Sequence, residues 1–212
     1  MIIAITGVDC SGKTTQIKNL IELYKKKNVE VKSVSLKFKP TVKNLSIYEN
    51  NFPSNPKSFP PVLSGDYYAM AYNCDFYNHY CSNIAPLLDK DPAPLIISDR
   101  YTICYKAFAY AVKAKNEISH IFLDNIVREP DLTICLDLSI DKVLKRISLR
   151  KHERFADETY DILNSIIEYY QKHIKDNENG FIIDADIPKN ELTQVIFELI
   201  ESYRNEKNIW IF

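Results

Sequence analysis

The residues best suited to chemistry lie near the start of the chain, in the stretch Gly7-Val8-Asp9-Cys10-Ser11-Gly12-Lys13-Thr14. This stretch fits the pattern G-x-x-x-x-G-K-[ST], whose glycines allow the backbone amides between them to turn inward around an anion. The lysine reaches phosphate oxygens, and the hydroxyl group that follows it is a ligand for Mg²⁺. The pattern therefore predicts a loop that binds ATP and Mg²⁺ through Gly7, Asp9, Cys10, Ser11, Gly12, Lys13, Thr14 and Thr15.

Chance is a poor explanation of this match. The sequence contains only four glycines, and two of them stand in the loop, whereas a plain turn between a strand and a helix needs at most one glycine and no lysine. The loop also follows an apolar run and precedes a helical pattern that begins near Lys13, which is the context that the motif requires. The helix N-terminus adds unpaired N–H groups and partial positive charge.

A second polar group, Asp99-Arg100-Tyr101, follows a hydrophobic run at residues 95–98. Ligands of open parallel sheets bind outside the carboxyl ends of the strands, so Asp99 and Arg100 are expected beside the loop. The carboxylate can hold hydrated Mg²⁺ or orient an acceptor, and the guanidinium can neutralise a transferred phosphate. Such a pair is ordinarily a solvated strand end, but together with the loop it predicts catalytic Lys13, Asp99 and Arg100, and the metal ligands Thr14 and Asp99.

The elements that must position these groups alternate along the chain. Short apolar runs rich in β-branched residues occur at 2–6, 29–36, 95–98, 132–138 and 181–183. Longer stretches with helical spacing occur at 15–27, 140–150, 160–174 and 191–203. Strands that alternate with helices imply right-handed crossovers and a sheet covered on both faces. The sequence predicts an α/β three-layer fold with a central five-stranded parallel sheet, in one domain over residues 1–212.

Composition restricts the kind of partner. The formal net charge is −1, which provides no broad field for a nucleic-acid or membrane surface, so the partner is expected to be a small molecule. The five cysteines are odd in number and contain no C-x-x-C pair, which argues against a disulfide framework or zinc site and indicates a reducing, cytoplasmic compartment. The apolar run at the N-terminus is too short for a signal peptide or a membrane span.

Several segments together resemble the thymidylate kinase family. They are the loop with Thr14-Thr15-Gln16, Asp99-Arg100-Tyr101 with Ala107-Phe108, Pro130-Asp131-Leu132-Thr133-Ile134 with Leu136-Asp137, and Arg154-Phe155, in the family's order and approximate spacing. The loop alone indicates only a superfamily of P-loop proteins, but the combination is narrower. The resemblance implies a P-loop kinase that transfers the γ-phosphoryl group of ATP to a (deoxy)nucleoside monophosphate, foremost dTMP giving dTDP. It also implies a homodimer.

The resemblance assigns roles around the acceptor. It implies that Asp9 binds the sugar 3′-hydroxyl, that Arg100 grips the acceptor's phosphate, and that Phe108 crowds the 2′ position and so favours deoxyribose. Tyr72 falls where the family stacks an aromatic ring on the pyrimidine, although a core aromatic on an amphipathic helix is the alternative. Tyr101 completes the set of predicted substrate contacts next to Arg100.

A basic segment at 146–157 resembles the lid that closes over ATP in this family. A charge run of this kind is ordinarily a solvated helix end. The loop lacks the arginine that one branch of the family carries there, so the resemblance implies that a catalytic arginine comes from this segment. Such a lid excludes water and places guanidinium groups on the developing phosphoryl charge. The resemblance implies catalytic roles for Arg150 and Arg154 and an ATP contact for Arg146, beside Lys151.

The sequence departs from the family on the acceptor side. Phe76 stands where an arginine usually reads the base edge, four residues after the stacking aromatic, so base recognition at this predicted contact must differ. The family's Arg-Glu-Pro segment is Lys37-Phe38-Lys39-Pro40 here, in which Lys39 can hold phosphate only as a point charge. Ala109 and Ala156 replace a glutamine and an acid.

Other readings stay open. The departures also fit a kinase for a different or modified monophosphate, or a nucleoside kinase, whose acceptor has no phosphate to grip. A GTPase-type switch is not favoured because no Asn-Lys-x-Asp motif occurs, and a binding protein without catalysis is disfavoured by Lys13, Thr14 and Asp99. The proline-rich segment 39–65 either borders the acceptor pocket or is a surface insertion.

Overall fold

Five parallel strands form the centre of the fold in the computed structural model, which describes residues 1–36, 64–115, 118–150 and 158–207. Each strand pairs with its neighbours in parallel, in the order β2-β3-β1-β4-β5. This arrangement confirms the predicted five-stranded parallel sheet. The strands are β1 (Ile2–Thr6), β2 (Val31–Ser35), β3 (Leu95–Asp99), β4 (Leu132–Asp137) and β5 (Gly180–Asp184).

Helices connect these strands and cover the sheet. Within the described ranges they are α1 (Lys13–Lys26), α2 (Gly65–Asn83), α3 (Ala85–Leu88), α4 (Thr102–Ala111), α5 (Ile118–Ile126), α6 (Ile140–Ser148), α7 (Tyr160–His173) and α8 (Lys189–Glu206). None of these helices is long and apolar enough to cross a bilayer.

The sheet has a hydrophobic core on each face. Successive side chains of β1 point to opposite faces, so Ile2 and Ala4 pack with α2, α4, α6 and α7, whereas Ile3 and Ile5 pack with α1 and α8. All five residues of β1 and of β3 are buried, as expected for the central strands of a sheet with two covers. The predicted three-layer α/β architecture is confirmed.

The edge strand β2 begins two residues later than the sequence predicts. Asn28 adopts a left-handed conformation with φ of 57°, and the amide of Val29 bonds back to the carbonyl of Tyr24 at 3.1 Å. Val29 therefore belongs to the turn that ends α1. Glu30 and Lys32 form a 3.1 Å ion pair on this edge, as charged residues at a sheet edge commonly do.

Helix α2 was not among the predicted helices, although it is 19 residues long. It begins after Ser64, whose hydroxyl accepts a 3.3 Å hydrogen bond from the amide of Tyr67, an N-cap interaction. A Cβ on Gly65 would lie 2.1 Å from the carbonyl oxygen of Val112, so only glycine allows this close approach to the end of α4. The helix follows the proline-rich segment, of which residues 39–63 lie outside the described ranges.

Candidate active site

The loop between β1 and α1 has the tight curvature that its glycines predict. Gly7 has a φ of 135°, and a Cβ there would lie 2.6 Å from the carbonyl oxygen of Leu136 in the neighbouring strand β4. Gly12 has a φ of 104°, and Cys10 is also left-handed, with a φ of 62°. These conformations wrap the loop into a turn that ends directly in α1, which begins at Lys13.

The ammonium group of Lys13 lies inside this loop. It donates 2.8 Å hydrogen bonds to the carbonyl oxygens of Gly7 and Val8, and the residue is only 6% exposed. Burial and the neighbouring charge of Arg100 lower the pKa of Lys13, while Asp9 acts in the opposite direction. The loop thus holds a positive charge that is shielded from water. Its attraction to an anion is stronger there than it would be in water.

Ser11 and Thr15 are two further residues of the predicted ATP-binding set. Ser11 is buried, and its hydroxyl has no hydrogen-bond partner among the described residues. Thr15 lies exposed in the first turn of α1, where its amide bonds to the carbonyl of Gly12 at 3.0 Å. These positions are compatible with phosphate binding, which stays a prediction for both residues.

Thr14 and Asp99, the predicted metal ligands, are neighbours in the structure. The hydroxyl of Thr14 donates a 3.3 Å hydrogen bond to Oδ2 of Asp99, which is 4% exposed. The other carboxylate oxygen, Oδ1, is buried and has no hydrogen-bond partner in the described part of the chain. Hydroxyl and carboxylate oxygens are ligands that Mg²⁺ accepts, and the ion commonly takes one or two from protein and the rest from water and phosphate. The two residues therefore fit Mg²⁺.

Arg100 and Asp9 form an ion pair beside Lys13. Nη2 of Arg100 donates a hydrogen bond to Oδ1 of Asp9. Burial opposes the charge on Asp9, but Arg100 and Lys13 outweigh it and lower the pKa of the carboxyl group. Asp9 is therefore an ionised acceptor at neutral pH.

The backbone at Arg100 is unusual for a residue with a side chain. Its φ is 78°, its amide bonds to the carbonyl of Ile5 at 3.0 Å, and its carbonyl accepts a 2.7 Å bond from the hydroxyl of Ser98. Left-handed conformations of non-glycine residues are uncommon and concentrate at functional sites. These bonds turn the chain sharply after β3 and direct the guanidinium towards Asp9.

A cleft opens next to this ion pair. Asp9 and Arg100 form its polar end, and its empty volume, including the open mouth, is about 360 Å³. Its walls come from the loop, α4 and α7. They comprise Val8, Cys104, Phe108, Leu163, Ile166 and Tyr170. The lining therefore combines charged groups at one end with apolar and aromatic side chains along the walls.

Of the two predicted aromatic residues, Phe108 lies at this cleft and Tyr72 contacts Phe108. Their rings meet edge-on, with centroids 4.5 Å apart and planes at 88°. Phe108 lines the cleft, and Tyr72 is partly buried on the adjacent helix α2. Tyr72 also packs against the hydrophobic core, which is the alternative that the sequence left open for it, and the contacts of both residues with a substrate stay predictions.

The wall from α7 was missed by sequence reasoning. Leu163, Ile166 and Tyr170 belong to an amphipathic pattern that predicts a helix, but such a pattern does not identify what the apolar face contacts. Beneath this wall, the hydroxyl of Thr6 lies 2.8 Å from Sγ of Cys104, and burial raises the pKa of the Tyr170 hydroxyl.

Two predicted substrate contacts lie in the core instead of the cleft. Phe76 and Tyr101 are both 0% exposed. The ring of Phe76 packs 5.4 Å from that of Tyr101 and 4.7 Å from that of Tyr105, and the Tyr101 hydroxyl donates a 2.6 Å hydrogen bond to the carbonyl of Arg128. What the structure shows for these two residues is packing, and their contact with a substrate stays a prediction.

Two arginines of the predicted lid lie against Cys10 of the loop. Arg146 donates to the carbonyl of Cys10 at 3.2 Å and, less closely, to that of Ala185 at 3.5 Å. Nη1 of Arg150 lies 3.9 Å from the Cys10 sulfur, and the guanidinium forms two hydrogen bonds to Glu158, a residue that no sequence motif identifies. Lys39, Lys151 and Arg154 lie outside the described residues.

Comparisons with known proteins identify the family of this chain. The sequence model of the family described as thymidylate kinase matches residues 5–196. A probable thymidylate kinase of Archaeoglobus fulgidus is 27% identical over 208 residues, which cover 98% of each chain. A thymidylate kinase of Mesomycoplasma hyopneumoniae strain 7448 is 27% identical over 96% of this chain and 97% of its own. A probable thymidylate kinase of Methanococcus maripaludis strain C7 is 29% identical over 94% of this chain and 93% of its own. The resemblance predicted from the motifs is confirmed, and the chain belongs to the thymidylate kinase family.

Proposed function

We propose that this chain transfers the γ-phosphoryl group of ATP to dTMP, giving dTDP and ADP, with Mg²⁺ as cofactor. The observation that carries the proposal is the placement of Arg100 and Asp9 beside the buried Lys13, in one crevice. A donor nucleotide on the loop and an acceptor monophosphate in the cleft would then approach each other from two sides. Membership of the thymidylate kinase family supports both the donor and the acceptor.

On the donor side, the loop amides and Lys13 bind the phosphate chain of ATP, as in other P-loop proteins. Thr14 and Asp99 would hold Mg²⁺, which would supply positive charge to neutralise the phosphates. Arg146 contacts ATP from its position between the loop and the end of β5. Transfer in line needs little covalent chemistry, so positioning and charge neutralisation provide most of the rate.

On the acceptor side, the guanidinium of Arg100 binds the phosphate of dTMP. The ionised carboxylate of Asp9 accepts a hydrogen bond from the sugar 3′-hydroxyl, for which its low pKa suits it. Phe108 lies against the sugar at the 2′ position, and Tyr72 provides an aromatic face for the pyrimidine. Lys39 is proposed as a further phosphate contact by position in the sequence.

Arginine side chains from the basic segment act on the transferred group. Arg150 lies against Cys10 of the loop and contributes a guanidinium to the phosphoryl group as its charge develops. Arg154 is proposed for the same role from the family resemblance.

A release assay for ADP tests the function. Purified protein with ATP and Mg²⁺ is offered dTMP, dUMP, dCMP, dGMP and thymidine in separate reactions, and dTMP is expected to give the highest kcat/KM. The second candidate, a kinase for another monophosphate, is favoured by the buried position of Phe76, which leaves no side chain at that position to read the base edge. Good turnover of another acceptor with none of dTMP would establish it, and turnover of thymidine alone would indicate a nucleoside kinase.

We also propose a homodimer in the cytoplasm. Helices α2 and α5 contact each other and carry exposed hydrophobic side chains, including Met70 at 40% and Ile121 at 58% exposure. These side chains support a surface for self-association. All five cysteines are free thiols, which supports a reducing compartment. Sedimentation velocity at micromolar concentration is expected to give a dimer, and the variant Ile121→Lys a monomer. The balanced net charge supports a small-molecule partner over nucleic acid.

A further inference from the structure

The pair formed by Arg150 and Glu158 is the most buried ion pair next to the loop among the described residues. Nη1 and Nη2 of Arg150 donate to the two carboxylate oxygens of Glu158 at 2.7 and 2.5 Å, which is a bidentate arrangement. The side chain of Glu158 is 1% exposed and that of Arg150 is 22% exposed. A carboxylate so deeply buried is stable in its charged form only with a partner of this kind.

The position of the guanidinium gives the pair its significance. Nη1 of Arg150 lies 3.9 Å from the sulfur of Cys10, in the middle of the phosphate-binding loop. The charge of Arg150 is also among those that lower the pKa of Asp9, the residue next to Cys10. Arg150 therefore acts electrostatically on the place where the phosphate chain is expected to bind.

We propose that Glu158 is a positioning residue, which holds the guanidinium of Arg150 over the loop so that it meets the transferred phosphoryl group. This inference rests on the proposed function. Arginine has a long side chain with many rotamers, and the two-point contact with Glu158 selects one of them before the substrate arrives. A thiol is a weak hydrogen-bond acceptor, so Arg150 can exchange Cys10 for a phosphate oxygen while it keeps its bonds to Glu158.

A purely structural role would be different. The pair also connects the residues that follow α6 to those that precede α7, and this connection alone stabilises the fold. In that case, loss of the pair would lower the stability of the protein. Its effect on kcat would be no larger than that of an equally destabilising substitution elsewhere in the chain. Stability and kcat must therefore be measured separately on the same variants.

The experiment compares Glu158→Gln, Arg150→Met and the double variant. Glu158→Gln keeps the shape and removes the charge, and kcat is expected to fall about 10- to 100-fold, the size seen for residues that orient a ligand-binding group. Arg150→Met is expected to lose about 10²- to 10³-fold and to unfold at a lower temperature, because it leaves Glu158 buried without its partner. The double variant is expected to be more thermally stable than Arg150→Met. Its kcat is expected to stay as low as that of Arg150→Met. Glu158→Asp, which keeps the charge, is expected to retain more kcat than Glu158→Gln.

A second arginine and glutamate pair supplies the control. In α8, Nη1 of Arg204 donates to Glu201 at 2.6 Å, away from the site. Glu201→Gln is expected to keep wild-type kcat. The inference is overturned if Glu158→Gln keeps it too, or if Glu158→Gln reduces kcat by the same factor with and without Arg150. The wild-type chain in the same assay separates this inference from the proposed function. If it phosphorylates another monophosphate in place of dTMP, only the assignment of dTMP as acceptor is overturned. The variants are then compared with that other acceptor.

Discussion

Arg100 donates a hydrogen bond to Asp9 across the crevice between the phosphate-binding loop and the carboxyl end of β3. The two residues are 91 positions apart in the sequence, and a left-handed backbone at Arg100 directs the guanidinium towards the carboxylate. Because Asp9 is ionised and holds Arg100 in place, the guanidinium is oriented before an acceptor binds. Such preorganisation reduces the entropy that binding and transfer must overcome.

Removal of this guanidinium tests the acceptor assignment. Arg100→Ala is expected to lower kcat/KM for dTMP by about 10²- to 10³-fold, the usual loss when a charged donor at the reacting group is deleted. Steady-state kinetics with dTMP and thymidine measure it. Arg128→Ala is the control, since its guanidinium is 52% exposed in a surface pair with Asp131 and its loss is expected to leave kcat/KM unchanged. Nucleoside phosphorylation that survives in Arg100→Ala would favour a nucleoside kinase.

The buried ammonium group of Lys13 predicts a pH dependence of ATP binding. Burial and Arg100 lower its pKa below the roughly 10.4 of an unperturbed lysine. The charge that binds ATP is present below the lowered pKa and is lost as the pH rises through it. Affinity for ATP, measured by calorimetry without Mg²⁺, is therefore expected to decline as the pH rises. The midpoint of this decline is expected to lie below the roughly 10.4 of an unperturbed lysine.

Two variants check the origin of this decline. Asp9 raises the pKa of Lys13, so Asp9→Asn is expected to move the midpoint to lower pH. Lys13→Arg is expected to keep its affinity for ATP over the pH range in which the wild type loses it, because a guanidinium stays protonated. A midpoint that is the same in all three proteins would mean that another group titrates.

The metal requirement is predicted to depend on Asp99. Asp99→Asn removes the charge from the buried carboxylate beside Thr14, so the Mg²⁺ concentration for half-maximal activity is expected to rise by about 10- to 100-fold. Titration of Mg²⁺ at fixed ATP and dTMP measures this shift. Asp176→Asn, at an exposed carboxylate outside the site, is expected to match the wild type. An unchanged Mg²⁺ requirement in Asp99→Asn would exclude Asp99 as a ligand.

Local patterns predicted most of the sheet and the centre of the site. The strands β1, β3 and β4 are continuous apolar runs because both of their faces are covered, and the loop is a contiguous motif. The placement of Asp99 and Arg100 beside the loop followed from a rule about strand ends in parallel sheets. The bounds of helix α2 were not predicted, although a helix was considered at Tyr72, because its tyrosines and polar residues surround the helix without a single apolar face.

Features that depend on tertiary packing were beyond the sequence patterns. The apolar face of α7 is readable, but its contact with the cleft through Tyr170 depends on how the helix packs against α4. Glu158 stands among other charged residues in the sequence, and only its burial against Arg150 distinguishes it. Phe76 was assigned to the substrate by its spacing from Tyr72, whereas the turn of α2 directs it into the core.

A buried polar network connects α1 to α8 and predicts a cost in stability. The hydroxyl of Thr193 donates to Oε1 of Gln16 at 2.6 Å and accepts from Nδ2 of Asn19 at 2.8 Å. Thr193→Val keeps the shape but removes these bonds, and also the 2.9 Å bond from the same hydroxyl to the carbonyl of Lys189, so the free energy of unfolding is expected to fall by about 1–3 kcal/mol. Urea unfolding measures it, with Ser202→Ala at an exposed position of the same helix as the control. Equal midpoints for the two variants would mean that water replaces the lost bonds.

The buried position of Phe76 predicts that the arginine typical of the family cannot simply be restored. Phe76→Arg would place a guanidinium among the rings of Tyr80, Tyr101 and Tyr105, and the free energy of unfolding is expected to fall by about 3–5 kcal/mol. Tyr77→Arg, at the neighbouring and 38% exposed position, is expected to stay within about 0.5 kcal/mol of the wild type. If Phe76→Arg were instead as stable as the wild type, the side chain would have to reach the cleft, where an arginine can donate to a base carbonyl. A gain in kcat/KM for dTMP relative to dCMP would then identify this position as the one that determines base specificity.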